Sequence, residues 1–217
     1  MQIKEVLESE SKVLTSSQRE EYFHRGYLKL EGFLDAAWLT RLRSASMRFI
    51  EKSRPVSRNN EMFVLENGHC YEHPKLRRVV SPVSHDKIFW EFASESVIPD
   101  LVADVVGPNV RFFHSKLNYK WANGGQRFEW HQDIQAWPHT NYSPVTVGVL
   151  LEDVNMSQGP LTVVKRSHVG PLYDLYDNRG NFVIRIAKEK LSWVTEALKA
   201  VSYTHLRAHE TDSYLVC

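Results

Sequence analysis

The sequence predicts an α+β fold in which helices come first and a sheet sandwich or barrel follows. Helically spaced apolar residues recur along the chain up to Gly107. After Gly107, short segments alternate between apolar and polar residues, and Gly, Pro and Asn separate them. The chain has 217 residues, of which 42% are hydrophobic, and this is enough for one domain with a sizeable core.

Two helices are predicted near the N-terminus from their capping residues. The first follows Thr15, which forms a capping box with Gln18, and it ends at Gly26. A short strand and a turn come next. The second helix covers residues 35–53, and Asp35 is its N-cap.

A third helix is predicted over residues 86–106, because an apolar stripe runs through it and Gly107-Pro108 ends it. The preceding residues, 54–82, are predicted to be irregular and polar. Long irregular insertions are often functional, so this segment is expected to form part of a lid over a pocket.

The remaining chain is predicted to form short strands with a turn at Gly124-Gly125 after the first of them. Within the first strand, Leu117 and Tyr119 fall on one face, whereas Lys116 and Asn118 fall on the other. The predicted strands are residues 110–121, 127–134, 145–151, 161–164 and 182–186.

Composition excludes several classes of protein. Lys and Arg total 27 against 26 Asp and Glu, and the net charge of +1 gives no support to nucleic-acid binding. No apolar run approaches the ~20 residues of a membrane span, and the polar N-terminus favours a cytoplasmic protein. Cys70 and Cys217 are the only cysteines, so no disulfide framework is possible.

The residues Trp130-His131-Gln132-Asp133 form the sharpest chemical motif. In a strand, residues i and i+2 project to the same face, so His131 and Asp133 would present an imidazole and a carboxylate together. These are two of the three ligands in the two-histidine, one-carboxylate triad that binds non-haem Fe(II). The structural alternative is a surface pair whose side chains hydrogen-bond to each other or to the backbone.

Neighbouring polar residues strengthen the metal hypothesis. Lys116, Asn118 and His114 lie on one face of the preceding predicted strand, as a water-accessible metal cavity would require. Trp130 and Trp137 flank the motif and could wall a pocket, although buried tryptophans more often only pack.

His168, His69 and His73 are expected to have structural roles. His168, at the end of a predicted strand, is expected to hydrogen-bond locally rather than to bind metal. The group His69, Cys70, Tyr71 and His73 resembles a metal cluster, but a flexible, solvated loop is the favoured interpretation.

Three segments together resemble the phytanoyl-CoA dioxygenase family of Fe(II)- and 2-oxoglutarate-dependent oxygenases. They are LTSSQREEYFHRGYLKLEGFL, HSKLNYKWANGGQRFEWHQD and VGVLLEDVNMSQGPLTVVKRSH. The resemblance implies a double-stranded β-helix, or jelly roll, with N-terminal helices. It divides the chain into a helical buttress at about 12–107 and jelly-roll strands at about 108–187, within a partial domain of residues 1–200.

The resemblance also implies the chemistry. His131 and Asp133 would bind Fe(II), Lys116 and Asn118 would line the pocket of the co-substrate 2-oxoglutarate, and Trp137 would line the pocket beyond the metal motif. The implied reaction uses dioxygen to hydroxylate a small organic substrate. His168 matches the family's Ser-His turn, which is not an iron ligand.

The sequence departs from the family pattern at its end. The family has a third histidine ligand and then an arginine that anchors 2-oxoglutarate on a late strand, and no such strand is predicted after Ala200. Residues 201–217 resemble a translated sequencing adapter and are predicted to be a non-native tail, which would leave an inactive fragment. In the competing interpretation, His205 or His209 replaces the distal ligand; Arg207 is the arginine candidate.

Two other classes stay open at this point. A metal-free jelly-roll binding module would keep the fold without the oxidant. A cupin-type metalloenzyme would use several closely spaced histidines, whereas here one histidine stands beside the aspartate.

Overall fold

The computed structural model describes residues 2–122, 128–136, 139, 141, 143–155, 158, 160–191, 203–206 and 213–216. The chain divides into two compact units. The first unit contains Met1–Phe33, Leu101–Asn109 and Phe128–Cys217, and the second contains Leu34–Asp100 and Val110–Arg127. Helices and antiparallel strands are both present, which confirms the predicted α+β class.

The described helices and strands are mostly short. The α-helices are α1 (Ile3–Glu8), α2 (Ser16–Arg25), α3 (Ala36–Ser53), α4 (Lys87–Glu95) and α5 (Ile98–Val106). The strands are β1 (Tyr27–Leu30), β2 (Phe63–Leu65), β3 (Leu76–Val80), β4 (Lys116–Asn118), β5 (Thr146–Val149), β6 (Leu161–Val164), β7 (Tyr203–Leu206) and β8 (Ser213–Val216). Within the described residues, no helix has the length and apolar character that crossing a membrane requires.

Helix α2 has the predicted ends. The Thr15 amide donates to Gln18 Oε1 at 2.8 Å, and the Gln18 amide donates to Thr15 Oγ1 at 3.2 Å, which completes the capping box. At the other end Gly26 adopts the left-handed conformation with φ of 82°. Only glycine adopts this conformation without a steric penalty from Cβ.

Gly26 also makes room for a distant histidine. A Cβ atom at position 26 would lie 2.2 Å from His168 Nδ1, so the imidazole packs directly on the glycine backbone. His168 Nε2 lies 3.0 Å from the Phe23 carbonyl oxygen, and the Arg166 amide donates to the Arg25 carbonyl at 2.8 Å. The Ser-His turn therefore caps the carbonyl end of α2.

A buried aspartate fixes the segment that precedes α2. Asp104, in α5, accepts hydrogen bonds at 2.7–2.8 Å from the backbone amides of residues 12–14. Arg19 is also buried; its Nε donates to the Asp104 carbonyl at 2.9 Å and its Nη1 to the Ser9 carbonyl at 2.9 Å. Because each charged group is hydrogen-bonded, its burial is tolerated.

The strands of the first unit form two antiparallel sheets. One has the order β1-β8-β5, with Leu30 opposite Ser213 and Thr146 opposite Val216. The other pairs β6 with β7. The sequence predicted no strand after Ala200, whereas the structure forms β7 and β8 there. The assignment of residues 201–217 to a non-native tail stays a prediction.

The second unit has its own core. Phe49 of α3 packs with Phe63, Leu76 and Val79 of a sheet ordered β2-β3-β4. The prediction that residues 54–82 are irregular is therefore wrong for β2 and β3. The strand β2 has only three residues and β3 contains Arg77 and Arg78, so the polar residues around them dominate the local composition.

The predicted helix over residues 86–106 is two helices. Asp86 caps α4, with the Ile88 amide donating to its Oδ1 at 3.2 Å. Ser96 is extended, and its hydroxyl oxygen donates to the Phe92 carbonyl and accepts from the Ile98 amide. Pro99 has no N–H, so a continuous helix would lose the hydrogen bond to Glu95.

Several predicted strands are shorter or absent among the described residues. The strand predicted over 110–121 is regular only in β4, whereas β5 and β6 agree with the prediction. Residues 182–186 contribute one bridge, between Phe182 and Tyr176, instead of a strand. The predicted turn at Gly124-Gly125 lies outside the described residues.

Replacing Gly26 by Ala tests the close packing of His168. Gly180 is the matched control, because its φ is 78° and an added Cβ would meet nothing within 4 Å. Gly180→Ala is expected to lower the free energy of unfolding by about 1–2 kcal/mol, which is the cost of the left-handed conformation alone. Gly26→Ala is expected to cost more, because the His168 ring must also move. Urea denaturation measures both variants, and equal losses would contradict the packing argument.

Candidate metal centre

The structure brings His131 and Asp133 together, although not on a strand. His131 Nε2 lies 3.3 Å from Asp133 Oδ1. Residues 128–132 have no regular secondary structure, and Asp133 begins a 3₁₀ helix, Asp133–Ala136. The predicted strand over 127–134 is therefore wrong, but the predicted juxtaposition of the two side chains is correct.

A backbone carbonyl orients the imidazole of His131. Its Nδ1 lies 2.8 Å from the carbonyl oxygen of Glu129. A carbonyl oxygen can only accept, so Nδ1 carries a proton, and when the ring is neutral its lone pair is on Nε2. Histidines that bind metals commonly use the same arrangement, in which the second nitrogen donates to a carbonyl and fixes the tautomer.

A hydroxyl group holds the carboxylate of Asp133. Thr146 Oγ1, at the first residue of β5, lies 3.2 Å from Asp133 Oδ2. This contact leaves Oδ1 as the oxygen that faces Nε2 of His131. Hydrogen bonds to ligating carboxylates orient them in metal sites.

The pair fits a divalent metal ion. With a neutral ring, the lone pair of Nε2 and the carboxylate oxygen face each other at 3.3 Å, and a cation between them relieves their repulsion. Two ligand atoms ~2.1 Å from one ion subtend an angle of about 104° at this separation, between the ~90° of an octahedral pair and the ~109° of a tetrahedral pair. The side chains are 28% and 30% exposed, so an ion can reach them from solvent.

The backbone on either side of the pair is held by its neighbours in the first unit. The Ile186 amide donates to the Trp130 carbonyl at 2.8 Å. On the other side, the Thr146 hydroxyl donates to the carboxylate of Asp133. Sequence reasoning missed both Thr146 and Glu129, because one acts through a hydroxyl distant in sequence and the other through its backbone.

The residues predicted to line the 2-oxoglutarate pocket belong to the second unit. Lys116 and Asn118 are both exposed on β4 and share the face opposite Leu117, as predicted. Asn118 Oδ1 accepts a hydrogen bond from Arg78 Nε at 2.9 Å. Burial lowers the pKa of Arg78, and the charge of Arg77 lowers it further. Their role towards 2-oxoglutarate stays a prediction.

Lys120 lies two residues beyond Asn118 and was not singled out from the sequence. Burial lowers its pKa, as does the charge of Arg77, whereas Glu66 acts in the opposite direction. The alternation that identified Lys116 and Asn118 also extends to Lys120 and could have found it. Trp137, the other predicted pocket residue, lies outside the described residues.

The other histidine predictions have mixed outcomes. His168 hydrogen-bonds, as expected, but to the distant Phe23 carbonyl rather than locally. His69 is anchored by the Lys75 amide on Nδ1 at 2.8 Å and by the Ser53 carbonyl near Nε2, so its loop is more ordered than predicted. Among the described residues, no group of three or more His, Cys, Asp or Glu side chains could hold a metal ion.

Comparison with known proteins identifies the fold. EctD from S. alaskensis, solved with 2-oxoglutarate and 5-hydroxyectoine, superposes with a TM-score of 0.75 at 19% identity and covers 97% of this chain and 71% of that one. EctD with bound Fe gives a TM-score of 0.75 at 20% identity, over 97% and 72% of the two chains. The predicted double-stranded β-helix with N-terminal helices is thus confirmed.

Sequence comparison identifies the family. A probable alpha-ketoglutarate-dependent hypophosphite dioxygenase from Stutzerimonas stutzeri is 31% identical over 160 residues, which are 73% of this chain and 55% of that protein. The chain therefore spans about half the length of that relative. The family model for phytanoyl-CoA dioxygenase (PhyH) matches residues 22–202. The chain belongs to the phytanoyl-CoA dioxygenase family.

Proposed function

We propose that the chain is the iron-binding part of an Fe(II)- and 2-oxoglutarate-dependent dioxygenase that hydroxylates a small molecule. The observation that carries this proposal is the opposition of His131 Nε2 and Asp133 Oδ1 at 3.3 Å, with each side chain oriented by another hydrogen bond. Membership of the phytanoyl-CoA dioxygenase family supports the choice of metal and co-substrate.

The protein's part in this reaction is to hold two ligands in a fixed geometry. Glu129 keeps the proton on Nδ1 of His131, so that Nε2 can donate its lone pair. Thr146 restrains the Asp133 carboxylate and keeps Oδ1 turned towards the histidine. When bound, iron with 2-oxoglutarate supplies the oxidising chemistry that activates dioxygen. A binding module without a metal has no need of this arrangement.

The chain of 217 residues is proposed to bind iron weakly and to complete no reaction. The family pattern includes a third histidine ligand and an arginine that anchors 2-oxoglutarate. The candidates for these two roles are His205 or His209 and Arg207. His205 lies opposite Thr162 in the β6–β7 pair, whereas Arg207 and His209 lie outside the described residues. Anaerobic titration with Fe(II) and 2-oxoglutarate tests this, and a strong charge-transfer band with succinate release in air would contradict it.

Relatives show the range of substrates that the family accepts. They include a hypophosphite dioxygenase and an ectoine dioxygenase from Sphingopyxis alaskensis. We propose small-molecule partners, namely the substrate, 2-oxoglutarate and dioxygen, without nucleic acid or a membrane. The cytoplasmic location remains a prediction from composition.

Replacing His131 by Ala is expected to abolish measurable Mn²⁺ binding, because one of the two proposed protein ligands of an already weak site is removed. The unbound Mn²⁺ signal in electron paramagnetic resonance measures the affinity and is suited to weak binding. His24→Ala on α2 is the control and should keep the wild-type affinity. Equal Mn²⁺ affinity of His131→Ala and wild type would favour the metal-free binding module.

Replacing Thr146 by Val tests the hydroxyl that holds Asp133. The exchange keeps the shape of the side chain but removes the contact with Oδ2, so Mn²⁺ affinity should fall about 10-fold. Thr162→Val on β6 is the matched control, because the Thr162 hydroxyl contacts the Pro160 carbonyl instead. The role of Thr146 is refuted if both valine variants bind Mn²⁺ as the wild type does.

A further inference from the structure

Gln132 lies between the two proposed ligands and makes its own contacts. Its Nε2 donates to the Pro171 carbonyl at 3.0 Å, and its Oε1 accepts from the Tyr173 amide at 2.9 Å. Both partners are backbone groups about 40 residues later in the chain. The side chain thus joins the metal motif to the segment that follows the Ser-His turn.

The primary amide of Gln132 satisfies both contacts at once. The Pro171 carbonyl requires a donor and the Tyr173 N–H requires an acceptor, and a glutamine presents one of each at its end. The pattern reproduces the pairing that a neighbouring strand would provide through its backbone. Residues 130–133 do not form a strand, so the Gln132 side chain makes the two hydrogen bonds that a strand backbone would otherwise make.

The segment that Gln132 contacts is itself anchored. It begins at Pro171, two residues after the Ser-His turn (Ser167–Val169), where the Arg166 amide and the His168 ring cap carbonyl groups at the end of α2. The contact therefore connects the metal motif to a fixed part of the first unit.

We propose that Gln132 is a positioning residue for the metal pair, an inference that rests on the proposed function. Its backbone is shared with both ligands, because residues 131 and 133 are its direct neighbours. Release of the side chain allows the two peptide planes beside residue 132 to rotate, and rotation changes the distance between Nε2 of His131 and Oδ1 of Asp133. Gln132 acts through this geometry and does not itself bind the ion.

The test compares two identical exchanges, Gln132→Met and Gln18→Met. Methionine keeps the length of glutamine without its hydrogen bonds. Gln18 is the matched control, because its Oε1 also accepts a backbone amide, that of Thr15 at 2.8 Å, but in the capping box of α2. Mn²⁺ affinity and the thermal unfolding midpoint are measured for both variants and for wild type.

Both variants are expected to lose some thermal stability, whereas only Gln132→Met should lose Mn²⁺ affinity, by about 10-fold or more. Unchanged Mn²⁺ affinity in Gln132→Met, with binding by the wild type, would overturn the positioning role and leave the proposed function intact. An equal loss in both variants would assign the effect to general destabilisation and would also overturn it. Failure of the wild type to bind Mn²⁺ would overturn the proposed function, and the positioning role with it.

Discussion

One backbone carbonyl selects which nitrogen of the neutral His131 ring is available to a metal ion. Because the Glu129 oxygen accepts a hydrogen bond from Nδ1–H, the nitrogen that faces Asp133 carries the lone pair when the ring of His131 is neutral. With the tautomer reversed, Nε2–H would donate to the carboxylate and the pair would be an ordinary surface hydrogen bond. In the neutral ring, the backbone carbonyl of Glu129 therefore decides whether Nε2 can bind a metal ion or donates a hydrogen bond.

The surroundings of this pair are held by contacts between distant parts of the first unit. Thr146 restrains the carboxylate, Ile186 pairs with the backbone of Trp130, and Gln132 reaches the segment after the Ser-His turn. That turn is fixed in its own right, because His168 packs on Gly26 and caps α2. An irregular loop can in this way hold the His131 and Asp133 side chains together without the ladder of a regular strand.

Local signals predicted the parts of the fold that depend on neighbouring residues. The capping box at Thr15 and the left-handed Gly26 are correct because their hydrogen bonds close within a few residues. The motif at His131 and Asp133 was recognised because two chemically distinctive residues stand two positions apart. Its strand was predicted wrongly, since alternation alone does not show that Asp133 starts a 3₁₀ helix.

Features that depend on distant contacts could not be predicted. Phe63 and Leu76 are buried against Phe49 of another element, and nothing within the polar segment that surrounds them indicates this. The hydroxyl of Thr146 and the carbonyl of Glu129 are ordinary in the sequence and gain a role only from what they contact. Pro99, in contrast, was a visible signal for the break between α4 and α5.

Nitrogen NMR of His131 tests the central claim most directly. A long-range ¹H–¹⁵N spectrum at alkaline pH, where the ring is neutral, identifies which nitrogen carries the proton, and Zn²⁺ serves as the diamagnetic probe. We expect a protonated Nδ1 throughout and an Nε2 resonance that moves when Zn²⁺ is added. A proton on Nε2, or an Nε2 resonance unaffected by Zn²⁺, would contradict it.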